Sequence, residues 1–229
     1  MTVLVMVGAP GAGKGTQASI LATRLGLVHV ASGELFRSVA ELPGPLGREV
    51  SSYMDRGQLV PDELTVRMIL DRLVSPDAAA GVILDGFPRT RPQAEALDAA
   101  LARRGSRVDC ALYVGVGEAE LRRRLSGRWL CRAAGHPYHA IEHPPLRPGI
   151  CDIDGSELYQ REDDVPETVQ ARLRSQLPPM YEVVDYYTER GILWAVDGDA
   201  PIEAVTGALL EAVRAAIPAT GSAGTPAGR

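Results

Sequence analysis

Lysine is nearly missing from this chain. Of its 24 basic residues 23 are arginine, and the single lysine is Lys14. A general bias towards arginine explains the majority. The one exception then marks a position that needs a compact ammonium rather than a planar fork. Cysteine is also scarce. Three residues, Cys110, Cys131 and Cys151, form no disulfide framework, so the expected setting is a reducing cytoplasm. No apolar run approaches the roughly 18 residues that a spanning helix needs, and "TVLVMV" at the start is too short for a signal segment. No membrane association is expected. Positive charge is not in excess, because the net charge is −5. An overall electrostatic footprint for nucleic acid is thereby excluded. No Ser/His/Asp or Cys/His arrangement for nucleophilic catalysis is present either.

What is present is an ordinary globular composition, 45% hydrophobic and 23% charged, over 229 residues. That is one large domain, or one domain with insertions. Short apolar runs predict buried strands at Thr2–Gly8, Leu27–Ala31, Gly81–Asp85, Cys110–Gly115 and Ile192–Val196. Helical patterns fall between and after them, at Thr16–Gly26, Asp62–Leu73, Pro92–Arg104, Glu118–Ser126, Glu167–Arg190 and Pro201–Ile217. Strands alternating with helices predict an α/β fold whose parallel sheet is covered on both faces. Two segments interrupt the alternation, a helical excursion over 31–60 and a Pro-, Gly- and His-rich insert over 127–164. The core then runs over 1–217, and the low-complexity tail 218–229 is expected to be disordered.

The most informative stretch is "GAPGAGKGT", Gly8 to Thr16, which follows a strand and opens a helix. Its glycines let the backbone turn tightly and aim several N–H groups at one phosphate, at the positive end of the helix dipole. Gly11, Ala12, Gly13, Lys14, Gly15 and Thr16 are therefore candidate donor-nucleotide ligands. Lys14 supplies a mobile charge for the β and γ oxygens. The motif departs from the general pattern because Gly15 separates Lys14 from Thr16.

With that departure, and with "ASGELFR" (31–37), "RGQLVPDEL" (56–64) and "LDGFPRTRPQ" (84–93), the chain resembles the nucleoside monophosphate kinases. Among them it is most similar to the adenylate kinases with a long lid. The resemblance covers Thr2 to about Ile217. It implies a P-loop three-layer fold with a five-stranded parallel sheet, a helical AMP-binding insert at 31–60 and a lid at 127–164. It implies acceptor contacts from Ser32, Arg37, Gln58, Leu59, Val60, Gly86, Phe87, Pro88, Arg89 and Gln93, the last reading an adenine edge with its amide. Asp85, ending a buried strand, would hold Mg²⁺ through water. Arg124 and Arg128, four apart and able to point together, match arginines on the donor triphosphate. Trp129 stands where a second arginine is common. Arg161 and Arg172 match arginines that close over the transferring group, and Asp163 and Asp164 match acidic hinge residues. Asp164 also opens "DVPE", a capping-box pattern for the next helix. Pro137, Tyr138 and Ala200 match segments that pack on the donor nucleotide.

"LCRAAGHPYHAIEH", Leu130 to His143, gathers one cysteine and three of the four histidines. In the family a long lid holds either a zinc or a polar cluster at four places. Here these are Cys131, Ala134, Cys151 and Asp154. Three ligands remain and the fourth is a methyl group, whereas structural zinc wants four. His136 is expected to point outward from the tight turn "AGHPY". Zinc is therefore not expected, and any metal in the lid would be structural rather than catalytic.

The activity implied is reversible Mg²⁺-dependent transfer of the ATP γ-phosphoryl group to AMP, giving two ADP, by a monomer. Lys14, Arg89, Arg124, Arg128, Arg161 and Arg172 would form the catalytic set. Alternatives are a related kinase taking another acceptor or GTP, and a module that binds nucleotide without turning it over. A metal-dependent nucleic-acid binder is contradicted by the charge.

Overall fold

The computed structural model describes residues 1–56 and 58–217; the tail expected to be disordered, 218–229, lies outside the described residues. In chain order the elements are β1 (Thr2–Val7), α1 (Lys14–Leu25), β2 (Val28–Ala31), α2 (Ser32–Ala40), α3 (Pro45–Asp55), α4 (Asp62–Arg72), β3 (Gly81–Asp85), α5 (Arg91–Ala102), β4 (Cys110–Gly115) and α6 (Glu118–Ser126). There follow β5 (Arg128–Cys131), β6 (Pro137–His139), β7 (Leu158–Tyr159), α7 (Pro166–Glu189), β8 (Leu193–Asp197) and α8 (Ile202–Ala216). The α/β class and the five-stranded parallel sheet are as expected, in the order β2-β3-β1-β4-β8.

The central strands lack polar alternation because helices cover both faces. Val3 to Met6, Val82 to Leu84 and Cys110 to Leu112 are all fully buried. β1 lies between β3 and β4: the chain builds β2 and β3 on one side of it, then crosses to build β4 and β8 on the other. The carboxyl ends of such strands open a crevice for ligands. The register brings Met6 and Ala31 level with Asp85, so β1, β2 and β3 end together at that crevice.

Two smaller units flank it. α2, α3 and the start of α4 share their own apolar cluster of Phe36, Val50, Val60 and Leu64. Residues 128–159 carry a three-stranded antiparallel sheet, β6-β5-β7, around Cys131, Tyr138 and Cys151. Among the described residues no helix is long and apolar enough to cross a membrane.

Candidate active site

α1 begins directly after Gly13, whose left-handed backbone (φ 88°) ends the glycine loop. Lys14 is thus the first residue of that helix. Its Nζ donates to Ala9 O at 2.8 Å, which folds the side chain back over the loop. Burial lowers the Lys14 pKa to about 8. Asp85 opposes that shift, while Arg89, Arg172 and Arg128 add to it.

Lys14 faces a cavity of about 580 Å³ at the carboxyl ends of the strands. Gly11, Gly13, Gly15, Thr16, Asp85, Gly86, Pro88, Arg89, Arg124, Arg128, Pro137, Arg161 and Arg172 also line it. Seven cations, Lys14, Arg37, Arg89, Arg124, Arg128, Arg161 and Arg172, border this space, against two carboxylates, Glu34 and Asp85. Glu120, Asp163 and Asp164 offset part of this charge from behind, and the excess that remains favours an anion in the space. Among the described residues, the buried Nε atoms of Arg161 and Arg172 have no hydrogen-bond partner.

A second cavity, about 50 Å³, joins the first through shared walls. Its apolar side is Phe36, Met54, Leu59 and Val60, and its polar side includes Gln58, Thr65 and Gln93. Gly33, Arg37, Gly86, Arg89, Arg172 and Gln176 border both spaces. Glycine is required at 86, where φ is +73° and a Cβ would stand 2.7 Å from Ser32 Oγ and 3.0 Å from Arg89 Nη2. Ser32, fully buried, donates to Gly86 O at 2.7 Å and so braces that turn. Arg89 donates from Nε to the same carbonyl at 2.6 Å, and burial lowers its pKa to about 10.

The arginines are held by an acidic pair from the loop before α7. Asp164, 1% exposed, accepts from Arg128 Nε at 2.8 Å, Arg128 Nη2 at 2.6 Å and Arg172 Nη1 at 2.8 Å. Asp163 adds a contact to Arg172 at 2.9 Å. The capping-box expectation for Asp164 fails. α7 starts after Val165 with no side-chain cap, because the carboxylate is already engaged by two guanidinium groups. Arg124 lies on Glu120, at 2.6 Å, and on Gly198 O, at 3.0 Å.

Five candidate nucleotide contacts, Ala12, Ser32, Phe87, Tyr138 and Ala200, do not border either cavity. Ser32 is the buried brace of the Gly86 turn. Ala12 and Phe87 are buried beneath the loops that do. Ala200 packs on the main core. The Tyr138 ring turns into the lid, where its hydroxyl donates to Cys151 Sγ at 3.4 Å and accepts from Asp152 N at 2.7 Å. Its side chain therefore belongs to the lid's interior.

Sequence reasoning missed three residues at the site. His29 in β2 lies 3.3 Å from Asp85 Oδ2; a lone histidine inside an apolar strand was the available signal. Gln176, in mid-helix, had none. Asp62 was read only as a helix start, yet it bonds Gln93.

The lid requires a larger correction. His136 does not point outward. Gly135, with φ 70°, turns the chain back, and Cys131 N donates to His136 O at 3.1 Å. His136 is thereby folded onto Cys131, with Nδ1 at 3.3 Å from Cys131 Sγ, 3.4 Å from Cys151 Sγ and 3.1 Å from Asp154 Oδ2. Ligand atoms of Cys131, His136, Cys151 and Asp154 all lie within 4.8 Å of one another. A tetrahedral ion with bonds of about 2.0–2.3 Å separates its ligands by roughly 3.3–3.8 Å, and this set comes close. The amides of Ala134 and His136 also donate to Cys131 Sγ. The ligand set is thus complete, and the ground for not expecting zinc falls away.

Comparison with known proteins identifies the family. A sequence model of the family described as adenylate kinase matches residues 6–192. The chain is similar to an adenylate kinase of Exiguobacterium sibiricum, 46% identical over 202 residues, which span 88% of this chain and 94% of the relative. It is also similar to adenylate kinases of Staphylococcus aureus (45% over 203 residues, 89% and 94%) and Staphylococcus epidermidis (43% over 208 residues, 91% and 97%).

Proposed function

This chain belongs to the adenylate kinase family, and from that premise we propose how its two cavities divide the work. The enzyme is a phosphotransferase that moves a phosphoryl group from ATP to AMP, giving two ADP. The larger cavity takes the donor, its triphosphate lying against the glycine loop, Lys14, Arg124 and Arg128. The smaller takes the acceptor, with the base between Phe36, Met54, Leu59 and Val60 and its edge towards Gln93. The observation that carries this reading is the shared wall, since Arg37, Arg89 and Arg172 border both spaces where two phosphates would meet.

Phosphoryl transfer asks little covalent help of a protein. It needs donor and acceptor in line and preset charge against the spreading negative charge. Lys14, Arg89, Arg161 and Arg172 supply that charge, and 127–164 closes as a lid that excludes water. The unit over 31–60 carries the acceptor, and 1–217 forms the core that holds both.

Mg²⁺ fits beside Asp85. The His29 hydrogen bond and Lys14 outweigh the opposing effect of burial and hold this carboxyl below its usual range, so it stays ionised. Bound with ATP, the ion neutralises phosphate charge. In the lid, Cys131, His136, Cys151 and Asp154 would hold a zinc whose role is to fix the fold of this small sheet. A monomer in the cytoplasm completes the reading, since thiol ligands need a reducing setting.

The test is an acceptor panel. With MgATP as donor, AMP should exceed UMP and CMP by a large factor in kcat/KM, because a buried amide matched to one edge rejects others strongly. Equal use of UMP or CMP would overturn the assignment of the smaller cavity.

A further inference from the structure

We propose that Asp62 sets the acceptor's base specificity by fixing which way the Gln93 amide faces. The proposal rests on the reading of the smaller cavity as the acceptor site and deepens it.

Gln93 is 1% exposed and lines that cavity. Its Oε1 accepts from Arg89 N at 2.7 Å, and its Nε2 donates to Asp62 Oδ1 at 2.7 Å. Asp62 Oδ2 accepts from Thr90 Oγ1 at 2.8 Å, and that hydroxyl in turn accepts from Gln93 N at 3.3 Å. A carboxylate only accepts and a peptide N–H only donates. Turning the amide over would set oxygen against oxygen at Asp62 and N–H against N–H at Arg89. Both buried bonds would be lost at once, one of them charge-assisted.

One N–H and one oxygen lone pair of Gln93 are then left for the base, in a fixed order. The adenine edge sets an amino donor beside a ring-nitrogen acceptor, which an amide meets with its C=O and N–H side by side. A 6-oxopurine inverts that order, with a carbonyl beside a ring N–H, and would need the amide reversed. Asp62 forbids the reversal. It is a positioning residue that acts through Gln93.

The experiment compares AMP and IMP as acceptors for the full chain, with saturating MgATP, in the unmodified protein and in Asp62→Asn and Asp62→Glu. An asparagine can either donate or accept, so it releases one of the two locks. The AMP-over-IMP ratio of kcat/KM should fall about tenfold or more in Asp62→Asn, as for loss of a hydrogen bond to a charged group. It should hold within about threefold in Asp62→Glu, which keeps an acceptor-only group. If both acceptors lose the same factor, Asp62 merely supports the start of α4 and the proposal is overturned. Calorimetric binding of AMP and IMP in the cold reads the same ratio without turnover, should a variant melt too low for assay. Failure of the unmodified protein to phosphorylate AMP would instead strike the acceptor reading itself and take this proposal with it.

Discussion

Lys14 has two opposing constraints. It must carry charge to meet phosphate, yet burial and neighbouring arginines lower its pKa to about 8. The ammonium is present below that value and lost above it. In the free enzyme, kcat/KM for ATP should therefore fall as pH rises through about 8. Once the triphosphate is bound, its negative charge raises the Lys14 pKa, so kcat should hold to higher pH. A pH profile of both constants checks this, and parallel limbs would contradict it. Lys14→Met should keep the fold and lose about 10²-fold or more in kcat, as for removal of one preset donor. A thermal melt beside the rate measurement separates lost folding from lost chemistry. Asp164 has a different burden. It is the buried counter-ion of Arg128 and Arg172, so Asp164→Leu leaves two guanidinium groups facing each other in a partly dry site. The expected cost is about 3 kcal/mol or more of stability, read by denaturant unfolding.

At the scale of elements, the lid shows where a sequence reading stops. Cys131, Cys151 and Asp154 could be picked out by the family resemblance, but the fourth ligand could not. His136 lies two residues past its expected place and comes into the set only because Gly135 adopts a left-handed turn. The purified protein should hold about one zinc per chain, and chelator should lower the melting temperature, since a metal that binds only the folded state stabilises it. His136→Ala should abolish both the metal and the chelator effect. Metal analysis with a melt checks this, and a metal-free, chelator-insensitive unmodified protein would show the four side chains bond only to one another. The other elements were far easier to read. All five core strands announced themselves by apolar runs; in β1, β3 and β4 burial on both faces leaves few other patterns for a parallel strand, whereas α2 and α3 were read only as one helical excursion.

At the scale of the whole molecule, positions were legible and pairings were not. Asp85, Arg89, Arg128 and Arg172 are scattered over 88 residues of chain, and the family resemblance marked each of them. Nothing in the spacing says that Asp164 would take both Arg128 and Arg172, that His29 would reach Asp85, or that Asp62 would bond Gln93. Those contacts arise where β2 lies beside β3, α4 packs on α5, and the turn before α7 meets β5, which is a property of tertiary packing.

The central claim is that two nucleotides meet at the wall bordered by Arg37, Arg89 and Arg172, and that one phosphoryl group passes directly between them. ATP labelled at its γ-phosphorus, incubated with AMP, Mg²⁺ and the enzyme and quenched early, tests this in one step. Two ADP should appear for each ATP consumed, with the label at the β position of the ADP made from AMP. Label found chiefly in inorganic phosphate, with AMP unchanged, would contradict the account.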